Sequence, residues 1–170
     1  TVIDINRIRS VIGKYFGIDG RSVQGFVLGE HGDSEFVPWS STTIGNIKIA
    51  DFAKQLNIEW DNDTEKVIAD DVKNAAYEVI RKKGATAFAV AAVLTRICEA
   101  FNKDEKTILS LSTLLENYNG VNNVYLSVPT IAGRNGIEKV LSIDLTKEEE
   151  EKFIASADLM KEYIDRIDEN

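Results

Sequence analysis

The stretch 85–101 constrains the fold most. Ala85, Phe88, Ala91, Ala92, Leu94, Ile97 and Phe101 spread apolar side chains almost all the way round a helix. A helix of that kind is ordinarily central and buried, so the expectation is a domain built around it. It is no membrane segment: its apolar core, 85–94, falls well short of the roughly 20 residues a spanning helix needs. The other segments read by period and punctuation. Ile5, Ile8, Val11, Ile12 and Tyr15 predict a helix over 3–16 that stops at Gly17. Residues 23–29 predict a strand, 29–35 a Gly-rich polar loop, and 36–39 an extended piece ahead of and through Pro38. A short helix follows at 50–57. A long one covers 63–82, with Val67, Ile68, Val72, Ala75, Ala76, Val79 and Ile80 on one face and Gly84 as its breaker.

The second half of the chain is β-like before it ends in a helix. Strands at 108–115, 124–128 and 137–143 are separated by Asn119-Gly120 and Asn135-Gly136, both hairpin signals. Thr146 and Glu149 make a capping box, followed by a stripe of Phe153, Ala157, Met160, Ile164 and Ile167. The acidic run 148–151 reads as the solvated start of that helix, where negative charge suits the dipole. Strands and helices come in runs, so the fold class is α+β, with long helices packed on antiparallel strands, not an alternating parallel sheet. No repeat, linker or low-complexity stretch divides 1–170, which reads as one domain. The apolar faces of 63–82 and of the last helix exceed what one small core needs, and part of that surplus reads as subunit contact in a dimer or tetramer.

Composition narrows the partners. With 20 basic against 28 acidic residues the formal charge is −8, which disfavours nucleic acid and anionic membranes. A single cysteine, Cys98, makes no internal disulfide and fits a reducing, cytoplasmic setting. The sequence opens on Thr1 and its one methionine is Met160, so a longer parent protein is expected. No Gly-x-Gly-x-x-Gly follows a strand and no phosphate-binding Gly-Lys loop occurs, so the chain by itself offers no nucleotide site.

Three places carry candidate chemistry. His31, the only histidine, lies in Gly29-Glu30-His31-Gly32-Asp33-Ser34-Glu35. The glycines permit a sharp turn and close approach of a ligand, and an imidazole titrates near neutrality, so His31 suits general acid–base work. The same residues also allow an idle surface loop. A metal site of Glu30, His31, Asp33 and Glu35 is a third reading; with no second histidine or nearby cysteine, no metal is expected. Asp4 and Arg7 stand one helical turn apart. They make either a surface ion pair or a functional pair, in which the Arg fork grips a carboxylate and the Asp orients a histidine. Thr86, after Lys83-Gly84-Ala85, puts a hydroxyl at a helix start, where capping or packing is its simplest role.

Taken together, Asp4-Ile5-Asn6-Arg7-Ile8-Arg9, the 29–35 loop, Asn74-Ala75-Ala76-Tyr77-Glu78, Lys83-Gly84-Ala85-Thr86 and Arg134-Asn135-Gly136 resemble the carboxy-terminal half of the lactate/malate dehydrogenase family, and within it the L-lactate dehydrogenases. The resemblance covers essentially the whole chain. It implies the α+β substrate domain of a two-domain NAD-dependent oxidoreductase that interconverts pyruvate and L-lactate. The amino-terminal Rossmann domain that binds NAD would be absent here, as would the mobile active-site loop, and this piece alone is expected to be inactive. His31 would then be the proton donor and acceptor, Asp4 its partner, and Arg7 the carboxylate clamp. Thr86 would line the substrate pocket and Val90 would face the nicotinamide.

The resemblance also implies a regulatory position. Members activated by fructose 1,6-bisphosphate hold it with an arginine matching Arg9 and a histidine where this chain has Gln24, so weak or absent activation is expected. Within the family, malate and 2-hydroxyisocaproate dehydrogenases are the alternatives. A dicarboxylate would need a cation that the family places on the missing loop. Outside the family, the alternatives are a non-catalytic binding or assembly module and a metal-dependent hydrolase built on Glu30, His31 and Asp33.

Overall fold

Left-handed backbone closes two of the helices where glycine marks their ends: Gly17 at φ 66° and Gly84 at φ 78°. The computed structural model describes residues 1–168. In chain order the elements are α1 (Val2–Phe16), β1 (Val23–Gln24), β2 (Thr43–Ile44), β3 (Ile47–Lys48), α2 (Ile49–Leu56), α3 (Asn62–Lys83), α4 (Phe88–Asn102), β4 (Thr107–Leu115), β5 (Val124–Gly133), β6 (Gly136–Val140) and α5 (Lys147–Asp168). Two antiparallel three-stranded sheets result, ordered β1-β2-β3 and β4-β5-β6.

Two apolar cores hold these pieces. The first joins Ile5, Ile8, Ile12 and Phe16 of α1 to Val23, Ile44, Ile49 and Ala53, and to Ile68 and Val72 of α3. Phe16, not Tyr15, completes the α1 stripe. Tyr15 turns outward, donates to the Glu59 carbonyl at 2.6 Å and sits edge-on to Phe16 and Trp60. The second core packs Leu28 and Phe36 with Leu115, Val124, Leu126 and Val128 against Phe153 and Ala157 of α5.

The segment expected as one strand, 23–29, is divided between the two sheets. Val23 and Gln24 pair with β2. Beyond them Leu28 exchanges hydrogen bonds with Phe36 (2.9 and 3.1 Å), and Gly29 with Ser127 of β5 (3.1 and 2.9 Å). The loop between Leu28 and Phe36 is thereby closed at its base and pinned to the larger sheet.

The two Asn-Gly pairs turn out differently. Asn119 and Gly120 are both left-handed (φ 47° and 78°), and Tyr118 and Val121 exchange two hydrogen bonds across them. In the second hairpin the loop residues are Arg134 and Asn135; only Gly136 is left-handed (φ 92°). The ladder also slips at Ile131/Ala132, and β6 stops at Val140, short of the expected 143.

The capping box at α5 forms in both directions: Thr146 N–H donates to Glu149 Oε2 (2.9 Å) and Glu149 N–H to Thr146 Oγ1 (3.3 Å). Glu149 departs from the expected solvated run. It is buried and also accepts from Ser40 N–H and Oγ, tying α5 to the turn at Trp39–Ser41.

The largest departure concerns α4. The helix is not central. Of its fifteen residues only Ala100 is buried, and Phe88 is 86% exposed. Apolarity on every side states how much surface needs cover, not which body covers it. Here α1 and β5 cover one side only. The same holds for much of α3, where Val67, Val79 and Ile80 are exposed, and for the end of α5, where Ile164 and Ile167 are exposed.

Candidate functional site

Asp4 lies in the first turn of α1 with its side chain only 1% exposed, which excludes an ordinary surface ion pair. One turn on, Arg7 Nη1 donates to Asp4 Oδ1 at 2.8 Å. The pinned loop carries His31 back over α1, with Nδ1 3.0 Å from Asp4 Oδ2 and 3.5 Å from Glu35 Oε2. Both carboxylates face the same ring nitrogen, Asp4 Oδ2 as the nearer and Glu35 Oε2 in line with the ring. Nδ1 is thus committed to carboxylates, and Nε2 is left as the free face of a ring that is 60% exposed.

The electrostatics follow from this arrangement. The Asp4 and Glu35 carboxylates beside Nδ1 raise the His31 pKa from 6.5 to about 9, against partial burial. Burial pushes the Asp4 carboxyl up, but His31, the Thr1 ammonium and Arg7 outweigh it and hold that group below its usual range.

Side chains remote in sequence shape the loop. Gly29 is left-handed (φ 92°), and a Cβ there would fall 2.7 Å from Ser156 Oγ of α5. Glu30 N–H donates to that buried hydroxyl at 2.8 Å, and Ser34 Oγ lies 2.9 Å from it. Lys73 of α3 donates to the Asp33 carbonyl at 2.8 Å. Sequence reasoning missed Ser156 and Lys73. The only signal for Ser156 was a hydroxyl beside Phe153 and Ala157 on an apolar stripe; for Lys73 there was none.

A cavity of about 430 Å³ opens beside His31, lined among others by Arg7, Thr86, Val90, Leu94 and Ser110. Thr86 is no cap: α4 starts at Phe88, with Ala87 in the cap position and no side-chain cap bond. Arg7, His31, Thr86 and Val90 therefore share one cavity. Arg9 and Gln24 do not join them. Arg9 lines a separate cavity of about 440 Å³ with Arg96, and Gln24 is an exposed β1 residue near Thr43 that does not line it. The metal set read from sequence is not assembled either. Glu30 turns to Ser34, and the close ligand-type group among the described residues is Asp4, His31 and Glu35.

A half-exposed histidine, a buried carboxylate and an arginine fork thus stand beside one cavity on an α+β domain. Comparison with known proteins places the chain in a family. Residues 1–170 match the family described as lactate/malate dehydrogenase, alpha/beta C-terminal domain. An L-lactate dehydrogenase of Clostridium botulinum (strain Hall) is 52% identical over 161 residues, covering 95% of this chain and 51% of that protein. One from Clostridium perfringens (strain ATCC 13124) is 42% identical over 164 residues, covering 96% and 52%. Two solved structures superpose with a TM-score of 0.92: MGS-M5, a lactate dehydrogenase from a Medee basin deep-sea metagenome library (33% identity, 97% of this chain, 52% of the other), and the minor L-lactate dehydrogenase of Enterococcus mundtii (36%, 98% and 53%). The chain belongs to the lactate/malate dehydrogenase family, as its carboxy-terminal domain. It spans about half the length of the curated relatives it matches.

Proposed function

We propose that 1–170 is a single substrate domain, the catalytic half of an NAD-dependent L-lactate dehydrogenase that works only as part of a longer protein. The observation that supports this reading most is the convergence of Asp4, Arg7 and His31 at the mouth of the cavity that Thr86 and Val90 line. Arg7 gives one nitrogen to Asp4 and keeps the rest of its planar fork for the substrate carboxylate, which fixes the carbonyl's orientation. His31, protonated below about pH 9, offers its Nε2 proton to the substrate oxygen as negative charge develops there. In the reverse direction neutral His31 takes the hydroxyl proton. Because Nδ1 faces the carboxylates in both states, the same tautomer returns after each transfer. Asp4, anionic throughout, steadies the imidazolium form.

The apolar side of the cavity, Val90 and Leu94, fits a flat nicotinamide ring, and the rest of the dinucleotide would need a domain outside this chain. When bound, that cofactor supplies the hydride chemistry. Thr86 is neutral, which suits a methyl-bearing oxo acid better than a dicarboxylate. Exposed apolar residues on α3, α4 and α5 support assembly with the amino-terminal half and with further subunits in a homo-oligomer. No helix among the described residues is long and apolar enough to cross a membrane.

The test is NADH consumption by the longest natural form of the protein, offered pyruvate, oxaloacetate and 2-oxoisocaproate in parallel. Preferred turnover of pyruvate is expected. Preference for another oxo acid keeps the mechanism and moves the substrate. No turnover of any of them sinks the enzymatic reading in favour of an assembly module.

A further inference from the structure

Glu35 is a carboxylate that the acid–base reading above does not use. It is only 6% exposed, and groups of this kind are rarely buried without partners. The other buried glutamate, Glu149, collects donors from Ser40 and Thr146 and has an evident structural job. Glu35 differs. Among the described residues, the one hydrogen-bond partner of its carboxylate is His31 Nδ1, at 3.5 Å. The loop does not need Glu35 for its shape, because Ser156, Lys73 and the Leu28–Phe36 bridge already hold it. Asp4, by contrast, divides its carboxylate between Arg7 and His31.

We propose that Glu35 is a positioning residue for His31: a second carboxylate that takes the Nδ1–H bond, turns Nε2 toward the cavity and holds the ring in its acid form. This rests on His31 being the acid–base group of the proposed reaction. The charged groups facing His31 are Asp4 and Arg7 of α1, the amino group of Thr1 just ahead of that helix, and Glu35 from its own loop. The α3, α4, β4 and β5 residues lining the cavity, such as Ala76, Val90, Ser110 and Ser127, are neutral, as is Thr86 ahead of α4. With His31 protonated, two carboxylates face two side-chain cations. The Thr1 amino group also feels Glu35, but burial lowers its pKa below 8.0, so it has already lost its charge at the His31 midpoint; when His31 then loses its proton, Arg7 still answers Asp4, while Glu35 has no ion-pair partner left. Deprotonation is therefore resisted by both carboxylates, Asp4 first at 3.0 Å and Glu35 second at 3.5 Å, and Glu35 adds a share beyond that of Asp4. An oxo acid, which needs a proton donor, finds the site ready; a hydroxy acid must meet the minority neutral form.

His31 is the only histidine of the 170 residues, so in this chain its ring-proton NMR titration is read without assignment. The midpoint is expected near 9. In Glu35→Gln it falls by about one pH unit or more, a tenfold or larger loss of proton affinity, and Glu35→Asp recovers part of the difference. Unchanged far-ultraviolet circular dichroism and amide shift dispersion exclude a folding defect, while the melting temperature of Glu35→Gln is expected to fall at pH 6, where the pairing contributes in full, and to approach that of the unaltered chain above the His31 midpoint. The unaltered chain supplies the second measurement: the Glu35 carboxyl carbon shifts at the His31 midpoint. A midpoint unchanged in Glu35→Gln, or a carboxyl carbon silent at that pH, overturns the proposal. Neither readout involves substrate, so failure here leaves the dehydrogenase reading standing. Failure of oxo-acid turnover would in turn leave this pairing intact.

Discussion

α1 and α4 are each fifteen residues long, and the more apolar of the two is the less buried. α1 buries Ile5, Ile8, Ile12 and Phe16 in a core shared with β1–β3 and α3, and on the same helix it presents Asp4 and Arg7 to the site. α4 buries Ala100 alone and leaves Phe88, Val90 and Leu94 open. One helix is finished by its own chain; the other awaits a neighbour. The difference separates two uses of apolar sequence. A stripe one face wide points into the domain it belongs to, whereas apolarity all round asks for two bodies, and this chain supplies one. The cavity lies where the two kinds of surface meet, with Arg7 on α1 and Val90 and Leu94 on α4 among its walls.

The contrast can be attacked by substitution. Ile12→Ala removes a fully buried side chain and is expected to destabilise the chain by about 2–5 kcal/mol in urea unfolding. A cost no greater than that of a surface change would show that α1 is not the anchoring helix. Arg7→Lys keeps the charge beside Asp4 but loses the fork. If the proposed reaction holds, kcat/KM for the oxo acid in the longest natural form of the protein falls about 10- to 100-fold, the worth of a hydrogen bond to a charged group, with stability nearly unchanged. A matching loss of stability would make Arg7 structural.

A smaller effect concerns pH. The His31 pKa is raised in the folded state from 6.5 to about 9. The stability this contributes is fully present below 6.5 and is lost as pH rises through about 9. The melting temperature of the unaltered chain should therefore drop more between pH 6 and 9.5 than that of His31→Gln, and parallel curves would refute the coupling. The smallest effect is Leu94→Ser on α4. Its side chain is exposed here, so unfolding of this chain should change by under about 0.5 kcal/mol while self-association decreases. A cost of core size would mean that α4 is buried after all.

Much of the architecture was legible because it is encoded locally. Glycine at φ 66° and 78° ends α1 and α3, Asn119-Gly120 makes its two-residue turn, and Thr146 and Glu149 cap α5. The site was legible in part. The spacing of Asp4 and Arg7 left a surface pair open, and the family resemblance supplied the link to His31. Burial at 1% is what removes the surface alternative. Illegible were the roles that need a tertiary partner: Ser156 under the loop, Glu35 against the ring, Glu149 drawn inward by Ser40, and the uncovered face of α4. Hydrophobic period fixes which residues share a face; it carries no information about what lies opposite.

The Ser156 tether has a consequence for biosynthesis. The hydroxyl that receives Glu30 N–H lies 126 residues downstream of it, on the last helix. A chain emerging from the ribosome can fold α1 and its neighbours early. Its histidine loop nevertheless hangs without this support until α5 has been made and docked. The full bracing of the His31 loop is thus a late acquisition of the growing polypeptide, and a product cut short of α5 carries that loop without its Ser156 anchor.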